Sequence, residues 1–425
     1  MNSYLDRLNK KSLNIIQEVG ISASKMGSRS FVIGGCVRDL ILKKEILDLD
    51  LAVDGDAIAV AKIFARRCQG RVVVYPAFST ATVTMADGRA VDFSMIRKEQ
   101  YVAPGALPTV SQGTLTDDLF RRDFTINAMA IAIDPKDFGR LVDENGGLDD
   151  LKAGKIRVLH EHSFVDDPTR ILRAVRFEQR FGFRIEDKTL LWLRKAVKNG
   201  ALKSVKPQRL FEEFKKNLQE KQVVLNLKRL SQLSFFLNTG WGCRVGRSEL
   251  ELCGRIPQMV EFVDGQSTQQ SKVQEWLIDW TALCSSVPKI QLSMLLSSIA
   301  LSRSQRNQIC SALDSVKLLK KLKMKKLSMV DVFKLLEGLS SEELIFLGAQ
   351  LNKGIVLDRI KWFLTKGRFV TLKINGQDLN RLGIPPGKIF KDILREVLFC
   401  VVDGQCRSKT QQLAYARKLY QLSQM

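Results

Sequence analysis

The stretch FVIGGCVRDLIL at residues 31–42, followed by LDLDLAV at residues 47–53, decides the fold class of this chain. The aromatic and β-branched residues FVI (31–33) predict a strand, and the diglycine Gly34-Gly35 predicts a turn into a short helix. Alternating apolar residues in the second stretch predict another strand. A strand, a tight turn, a helix and a strand in this order indicate a sheet with helices packed on it.

The same pattern continues along the first half of the chain, with one more predicted helix and three more predicted strands at residues 56–68, 71–75, 81–85 and 89–95. The Pro-, Gly- and Thr-containing segment 97–118 predicts a long connection, and long loops are often functional. After about residue 160, apolar residues recur at helical spacing, and only FVTLKI (369–374) still predicts a strand. We therefore predict an α+β chain, with a mixed sheet first and a mostly helical second half.

Charge and composition narrow the class of partner. The 425 residues carry a formal net charge of +22, which favours a polyanionic partner such as nucleic acid. No apolar run is long enough to predict a membrane span, so we expect a cytoplasmic protein without a membrane partner. The eight cysteines form no C-x-x-C pair, which favours buried free thiols in a reducing cytosol. With two histidines, a site built from several histidines is nearly excluded.

Three aspartates are the candidate catalytic residues. Asp48 and Asp50 are two residues apart at the start of a predicted strand, so their side chains should share one face. Asp92 lies between apolar neighbours in another predicted strand, where a lone charge is costly unless it is paired. Like charges this close favour a bound cation, and Mg²⁺ prefers oxygen ligands and phosphates. If the strands are neighbours, the carboxylates would suit two-metal phosphoryl transfer, although D-x-D alone is more often a surface or turn feature.

The diglycine turn precedes a helix that carries Arg38. Glycines at a helix N-terminus let backbone N–H groups approach a phosphate, and the forked guanidinium of Arg38 could bind a triphosphate. A diglycine turn can also be a purely structural feature. The turn therefore supports a phosphate-binding site only in combination with the aspartates and the motifs described below.

Order and spacing of longer motifs resemble a known family. FVIGGCVRDLIL, LDLDLAV, VDFSMIRKEQY (91–101), LFRRDFTINAMAIAI (119–133) and FVDDPTRILRAVRFEQRFGF (164–183) together are similar to class II tRNA nucleotidyltransferases, which include CCA-adding enzymes and bacterial poly(A) polymerases. INGQDLNRLGIPPGKIFKDILREV (374–397) resembles the family's tail more weakly. The resemblance implies a nucleotidyltransferase head followed by an elongated all-α neck, body and tail. The expected segments are an N-terminal helix at 1–26, the head at 27–160, the neck at 161–225, the body at 226–360 and a tRNA-binding tail at 361–425.

The resemblance also implies residue roles. Asp48 and Asp50 match the metal-binding pair, and Asp92 is the candidate third ligand or base. The residues implied for nucleotide binding are Gly34, Gly35 and Arg38 at the turn, Arg121, Arg122, Asp123 and Asn127 for triphosphate and ribose, and Asp167, Arg170, Arg173 and Arg176 in the base-reading region. Mg²⁺ is the implied cofactor.

Base reading has a physical rationale. Asp167 offers acceptors and Arg170 offers donors, so the two side chains could complement a base edge without a nucleic acid template. Charged residues recur every three positions here, at Asp167, Arg170, Arg173 and Arg176. We predict that all four lie on one helix, and that Asp166 and Pro168 form its start. The family usually has Glu-Asp where this chain has Asp166-Asp167, which puts a role for Asp166 in doubt.

The predicted function is addition of CCA, or of the terminal A alone, to the 3′ acceptor end of tRNA from ATP and possibly CTP. In the family that the chain resembles, CC-only enzymes tend to have lost the segment that holds Arg97-x-Glu99-x-Tyr101, so the resemblance with an intact segment 97–118 implies CCA or A addition over CC-only addition. A poly(A) polymerase is the nearest alternative, and a catalytically inactive RNA-binding protein is a distant one. The charge and the large helical half argue against a small-molecule nucleotidyltransferase. We expect no stable protein partner.

Overall fold

A computed structural model of the chain describes residues 3–46, 48–106, 108–265 and 273–424. It divides into two compact units, Met1–Gly240 and Trp241–Met425. The strands all lie in the first unit and are β1 (Arg29–Ile33), β2 (Leu49–Asp54), β3 (Arg71–Tyr75), β4 (Thr80–Thr84), β5 (Ala90–Met95), β6 (Arg97–Gln100), β7 (Thr109–Gln112), β8 (Ala130–Ala132), β9 (Leu141–Val142), β10 (Lys155–Ile156) and β11 (Arg184–Ile185).

Helices pack against this sheet and continue the first unit. They are α1 (Lys10–Lys25), α2 (Gly35–Ile41), α3 (Ala57–Arg67), α4 (Leu115–Phe120), α5 (Gly147–Lys152), α6 (Ser163–Asp166), α7 (Arg170–Phe181), α8 (Asp187–Lys198), α9 (Pro207–Leu218), α10 (Val223–Gln232) and α11 (Phe235–Asn238). The prediction of a sheet with helices, entered through a diglycine turn, is confirmed.

The main sheet has the order β3-β4-β5-β2-β1-β8-β9, with β2 and β5 parallel and the other neighbours antiparallel. One face is apolar because every second residue of its strands is buried, among them Val83, Val91 and Leu51. Helix α3 contacts β2, β3, β4 and β5. Its start is stabilised by Asp56, whose side chain accepts a hydrogen bond from the backbone N–H of Ala59. The opposite face carries the polar positions of the same strands.

The prediction of a long connection at 97–118 is wrong for most of that segment. Strands β6 and β7 form an antiparallel hairpin with Arg97 opposite Gln112, and α4 begins at Leu115. Thr114 caps that helix in a capping box with Asp117, a signal that the sequence analysis missed. Leu107, which belongs to the predicted segment, lies outside the described residues.

The predicted start of the base-reading helix is also wrong. Helix α6 ends at Asp166, and α7 begins only at Arg170, so Asp167 and Pro168 lie between two helices. The Asp167 carboxylate accepts hydrogen bonds from the backbone N–H and hydroxyl of Thr169, which holds this short connection in a turn. Arg170, Arg173 and Arg176 are on α7 as predicted, but Asp167 is not.

The second unit is helical throughout its described residues. Its helices are α12 (Arg247–Asp264), α13 (Glu275–Cys284), α14 (Lys289–Ser298), α15 (Arg303–Ser315), α16 (Leu318–Leu322), α17 (Met329–Leu336), α18 (Ser341–Ala349), α19 (Ile355–Thr365), α20 (Gly376–Arg381), α21 (Lys388–Val402) and α22 (Lys409–Ser423). The predicted strand at 369–374 is wrong, because no described strand of this unit could pair with it. The Lys373 N–H instead donates to the Gln412 side chain. Among the described residues, every helix is too short or too polar to span a lipid bilayer.

Cysteine pairing departs from the expectation in one place. Cys400 and Cys406, near the end of α21, form a disulfide bond, so these two are not free thiols as predicted. The remaining six cysteines are free. The finer division into helix, head, neck, body and tail stays a prediction.

Candidate nucleotide-transfer site

A row of carboxylates lies on the open face of the sheet. Asp50 on β2 stands directly opposite Asp92 on the parallel neighbour β5, while Asp48 lies just before β2 and is exposed. Thr82 donates a hydrogen bond to Asp92 Oδ1 over 2.5 Å. Within the described part of the chain, none of the three aspartates has an ion-pair partner. We call Asp48, Asp50 and Asp92 the carboxylate row.

Electrostatic repulsion within the row is visible at Asp50. Burial and the negative charges of Asp92 and Asp48 raise the pKa of Asp50 to about 6, against the opposing effect of Arg122. A hard divalent cation prefers oxygen ligands, and the carboxylates of the row have no ion-pair partner, so the row suits such a cation. No three His, Cys, Asp or Glu side chains of the described residues form a ready-made metal-binding group. The row therefore offers suitable ligands without a preassembled cage.

The diglycine turn is held close to this row. Gly34 caps α2 with φ 67° and ψ −127°, a backbone conformation that only glycine adopts readily. A Cβ atom at Gly34 would lie 2.6 Å from Arg122 Nη1. The Cys36 thiol donates to the backbone oxygen of Asp48 over 2.9 Å and accepts from the Asp50 N–H over 3.3 Å. The start of α2 is thereby tied to the strand that carries the row.

Arg38 is buried beside the turn, and its donors are largely engaged. Nε and Nη2 donate to the carboxylate of Asp39, and Nη1 donates to Asn127 Oδ1 over 2.6 Å. The guanidinium also lies over the rings of Phe177 and Phe181, at 5.2 and 4.8 Å from their centroids. The fork that the sequence analysis assigned to the triphosphate thus engages Asp39 in this structure.

Two acidic residues that were not assigned to the site hold its arginines. Buried Asp118 accepts hydrogen bonds from Arg121 Nη2 over 2.7 Å and from Arg122 Nη2 over 2.8 Å. Burial alone would raise the pKa of Asp118, but the charges of Arg122 and Arg121 lower it overall. Glu99 accepts from Arg121 Nη1 over 2.8 Å and from Arg97. The only sequence signal for Glu99 was its place in the R-x-E-x-Y pattern.

A second set of charges joins the sheet region to the helices that follow it. Asp123 accepts from Asn127 Nδ2 over 2.9 Å and from Arg173 Nε over 2.7 Å. Burial opposes ionisation, yet Arg173 and Asn127 lower the pKa of Asp123 to about 2. Arg173 also lies 3.6 Å from Glu213 on α9. We call Asp123, Asn127, Arg173 and Glu213 the paired network.

The two predicted base-reading residues have different partners. Asp167 Oδ2 forms an ion pair with Arg209 Nη2 at 2.8 Å. Arg170 donates to Ser163 Oγ over 2.6 Å and to the Arg121 carbonyl over 2.7 Å.

Arg209 was missed by the sequence analysis. It lies on α9, and its Nη1 donates to the Gly105 carbonyl in the β6–β7 loop over 3.1 Å. The Gly105 N–H in turn donates to the Asp166 carbonyl over 3.2 Å. A single arginine on an amphipathic helix carries no spacing signal that would have identified it.

A cavity of about 500 Å³ collects most of these side chains. The predicted site residues that line it are Gly35, Arg38, Asp50, Arg121, Arg122, Asp123, Asn127, Asp167, Arg170 and Arg173. Glu99, Tyr101, Thr169, Phe177, Arg209 and Glu213 complete the lining. Gly34, Asp48, Asp92 and Arg176 do not line it, and Arg176 instead faces Glu213 and Glu220. A polyanion could bind among the arginines with one end at Asp50.

Three family descriptions match successive parts of the chain. Poly A polymerase head domain matches residues 30–157, probable RNA and SrmB-binding site of polymerase A matches 182–238, and tRNA nucleotidyltransferase domain 2 matches 271–416.

Curated relatives and solved structures agree with these matches. The chain is 32% identical over 99% of its length to an A-adding tRNA nucleotidyltransferase of Geobacter sulfurreducens, covering 48% of that protein. Over 53% of its length, the chain is also 41% identical to an A-adding tRNA nucleotidyltransferase of Halalkalibacterium halodurans, and the match covers 53% of that enzyme. The chain thus spans about half the length of these curated relatives. A CCA-adding enzyme in its apo form is 33% identical with a TM-score of 0.85, over 99% of this chain and 97% of that one. The Thermotoga maritima CCA-adding enzyme complexed with tRNA is 32% identical with a TM-score of 0.82, over 99% and 100%.

Proposed function

Because the chain belongs to the tRNA nucleotidyltransferase family, we propose that it transfers nucleotides from nucleoside triphosphates to the 3′ end of tRNA, with release of pyrophosphate. One observation carries the proposal: Asp50, beside Asp92 in the sheet, opens into the same cavity as Arg121 and Arg122. The cavity therefore combines carboxylates for metal binding with guanidinium groups for a triphosphate. We also infer a cytoplasmic location, since maturing tRNA is the proposed substrate.

Addition of the terminal A from ATP is the activity that we favour. Three curated relatives, from Geobacter sulfurreducens, Halalkalibacterium halodurans and Aquifex aeolicus, are named A-adding enzymes. Full CCA addition is the second candidate, favoured by similarity over almost the whole chain to CCA-adding enzymes complexed with ATP and with CTP. A poly(A) polymerase of Haemophilus influenzae is similar over only 53% of the chain, at 31% identity.

Nucleotidyltransferases of this family generally use a divalent metal. We propose Mg²⁺, held by Asp48 and Asp50 with Asp92 as the third ligand or base. Bound Mg²⁺ would supply charge stabilisation at the attacking hydroxyl and at the phosphates. The unpaired state of the carboxylate row supports this assignment, because a hard cation satisfies oxygens that no described side chain neutralises.

The arginines contribute binding and orientation. Arg121 and Arg122 point their remaining donors at the triphosphate, while Asp118 and Glu99 hold them in place. Arg38, held by Asp39, fixes Asn127 and the turn at Gly35 rather than gripping phosphate with its fork. Asp167 and Arg170 read the base edge, the carboxylate as acceptor and the guanidinium as donor.

The helical regions supply the remaining tRNA contacts in this proposal. We assign the neck to 161–225, the body to 226–360 and the tRNA-binding tail to 361–425. The net charge of +22 supports binding through phosphates, so the tRNA affinity should fall steeply as salt concentration rises.

The test uses three forms of one tRNA, ending at the discriminator base, at C and at CC, incubated with ATP and CTP singly and together. An A-adding enzyme extends only the CC form by one residue from ATP, whereas a CCA-adding enzyme completes all three. Tens of added residues would identify a poly(A) polymerase. Asp48→Ala should keep tRNA binding and lose transfer. Absence of any extension by the wild-type protein would refute the proposed function.

A further inference from the structure

The open face of the sheet extends well beyond the carboxylate row. Asp50 stands opposite Asp92, Asp92 opposite Thr82, and Thr82 opposite Val73 on β3. Because cross-strand neighbours share a face, these side chains form one continuous line from the row to the edge of the sheet. With about 4.8 Å between strands, the line is about 14 Å long.

The edge of this face is exposed and chemically mixed. Tyr75 is 50% exposed, and Val73 is 39% exposed on the same side of β3. Arg71 is also on this side and is exposed, and it forms no ion pair among the described residues. Phe78 follows directly after β3 and is 40% exposed. An aromatic ring and a free guanidinium at the rim are the groups that bind single-stranded nucleic acid.

We propose that this face, from Tyr75 and Arg71 on β3 to Asp92 on β5, binds the last unpaired nucleotides of the RNA acceptor and leads its 3′-hydroxyl to the carboxylate row. The inference rests on the proposed function, because it assigns the path of that reaction's acceptor. Stacked nucleotides rise about 3.4 Å each, so the line accommodates about four of them. Tyr75 stacks on a base, and Arg71 contacts a phosphate.

Three observations favour RNA over a protein partner on this face. The line ends at the reacting carboxylates, so its occupant must present a group for chemistry there. The hydroxyl groups of Thr80 and Ser94, which stand opposite each other, offer polar contacts to sugars and phosphates. Thr80 can act as donor or acceptor, whereas the Ser94 hydroxyl donates to the Leu51 carbonyl over 3.3 Å and is left as an acceptor. Arg71 complements an anionic backbone, whereas a second copy of this chain would bring another positively charged surface.

The experiment compares Tyr75→Ala, Tyr75→Phe and the wild type in steady-state transfer to tRNA ending in CC. Loss of one stacking ring should raise the KM for tRNA about tenfold, while Tyr75→Phe keeps the wild-type value. The KM for ATP should stay within about twofold, since the ring lies away from the triphosphate cavity. Phe138→Ala is the matched control. Phe138 is also an exposed aromatic residue, 36% exposed, but it lies between β8 and β9, at the edge of the sheet opposite β3.

A second measurement does not depend on catalysis. Fluorescence-detected binding of a short single-stranded RNA ending in CC should weaken about tenfold with Tyr75→Ala. Arg71→Gln should lower the salt dependence of that binding by about one phosphate contact. Unchanged RNA binding and tRNA KM in Tyr75→Ala, with an active wild type, would overturn the inference alone. So would a change confined to the sedimentation of the protein, which would indicate a dimer contact on this edge. An inactive wild type would instead refute the proposed function.

Discussion

Asp50 of the carboxylate row and Asp123 of the paired network line the same cavity, but their pKa values are shifted in opposite directions. Asp50 meets only partial compensation, and burial with like charges raises its pKa to about 6. Asp123 is also buried, yet Arg173 and Asn127 lower its pKa to about 2. The difference indicates two roles. Asp123, which is paired with Arg173, fixes the geometry of the site, whereas the unpaired Asp50 is suited to bind a cation from solution.

Asp50→Asn should have the largest effect on transfer. Loss of a metal-binding carboxylate should lower the rate by about a thousandfold or more, because electrostatic stabilisation is usually the largest catalytic contribution. Single-turnover transfer of A to tRNA ending in CC measures it. Transfer within about tenfold of the wild type would break the assignment of the row.

Stability of the same variant should change in the other direction. The folded pKa of Asp50 is raised, so its favourable contribution exists below pH 3.8 and is lost as pH rises towards about 6. At neutral pH without divalent cations, Asp50→Asn should therefore gain about 1–2 kcal/mol of unfolding free energy, after allowance for solvent screening. Urea unfolding in a chelator measures it, and a clear loss of stability would contradict the comparison.

Asp123→Ala should have the largest effect on stability. It leaves the half-buried Arg173 without its main partner, which should cost about 2–3 kcal/mol of unfolding free energy after allowance for solvent screening. The folded pKa of Asp123 is depressed, so its stabilisation is present above pH 3.8 and is lost as pH falls towards about 2. The variant and wild type should therefore converge on acidification in urea unfolding experiments. A cost that does not shrink at low pH would show that the network is not electrostatic.

Gly34→Ala should have a smaller effect that falls mainly on transfer. Its Cβ would displace Arg122, and a misplaced binding group can lower the rate by about tenfold to a hundredfold. Gly27→Ala is the matched control, because Gly27 also has a positive φ, of 72°, but no atom within 4 Å of the added Cβ. Equal losses of transfer in both variants would assign the effect to backbone strain instead of Arg122.

Local patterns predicted the parts of the fold that depend on near neighbours. The strand at 31–33, the diglycine turn and the aspartates two residues apart follow from alternation and turn chemistry. The hairpin β6–β7 did not, because its strands are polar and its pairing joins Arg97 to Gln112 across a loop. The prediction of a strand at 369–374 failed for the converse reason, since these residues suit a strand but the described residues of their unit include no strand to pair with them.

Motif order identified most side chains of the cavity but not their partners. Glu213 and Arg209 act through contacts between distant segments, such as the 42-residue separation of Asp167 and Arg209, which no spacing rule encodes. Asp118 differs, because it lies three and four residues before the arginines that it holds, a helical spacing that the sequence analysis did not use. The actual engagement of Arg38 with neighbouring Asp39 was likewise hidden, because the choice between an internal partner and a ligand depends on burial.

Cys36, which ties α2 to the strand of the carboxylate row, has a practical consequence for labelling. Burial and the nearby charge of Asp50 raise the pKa of this thiol to about 12, so thiolate-directed reagents have almost no target there at neutral pH. Cys310 is the exposed one among the free cysteines of the described chain. A maleimide dye can therefore report on the helical unit through Cys310 while the reaction centre stays chemically untouched.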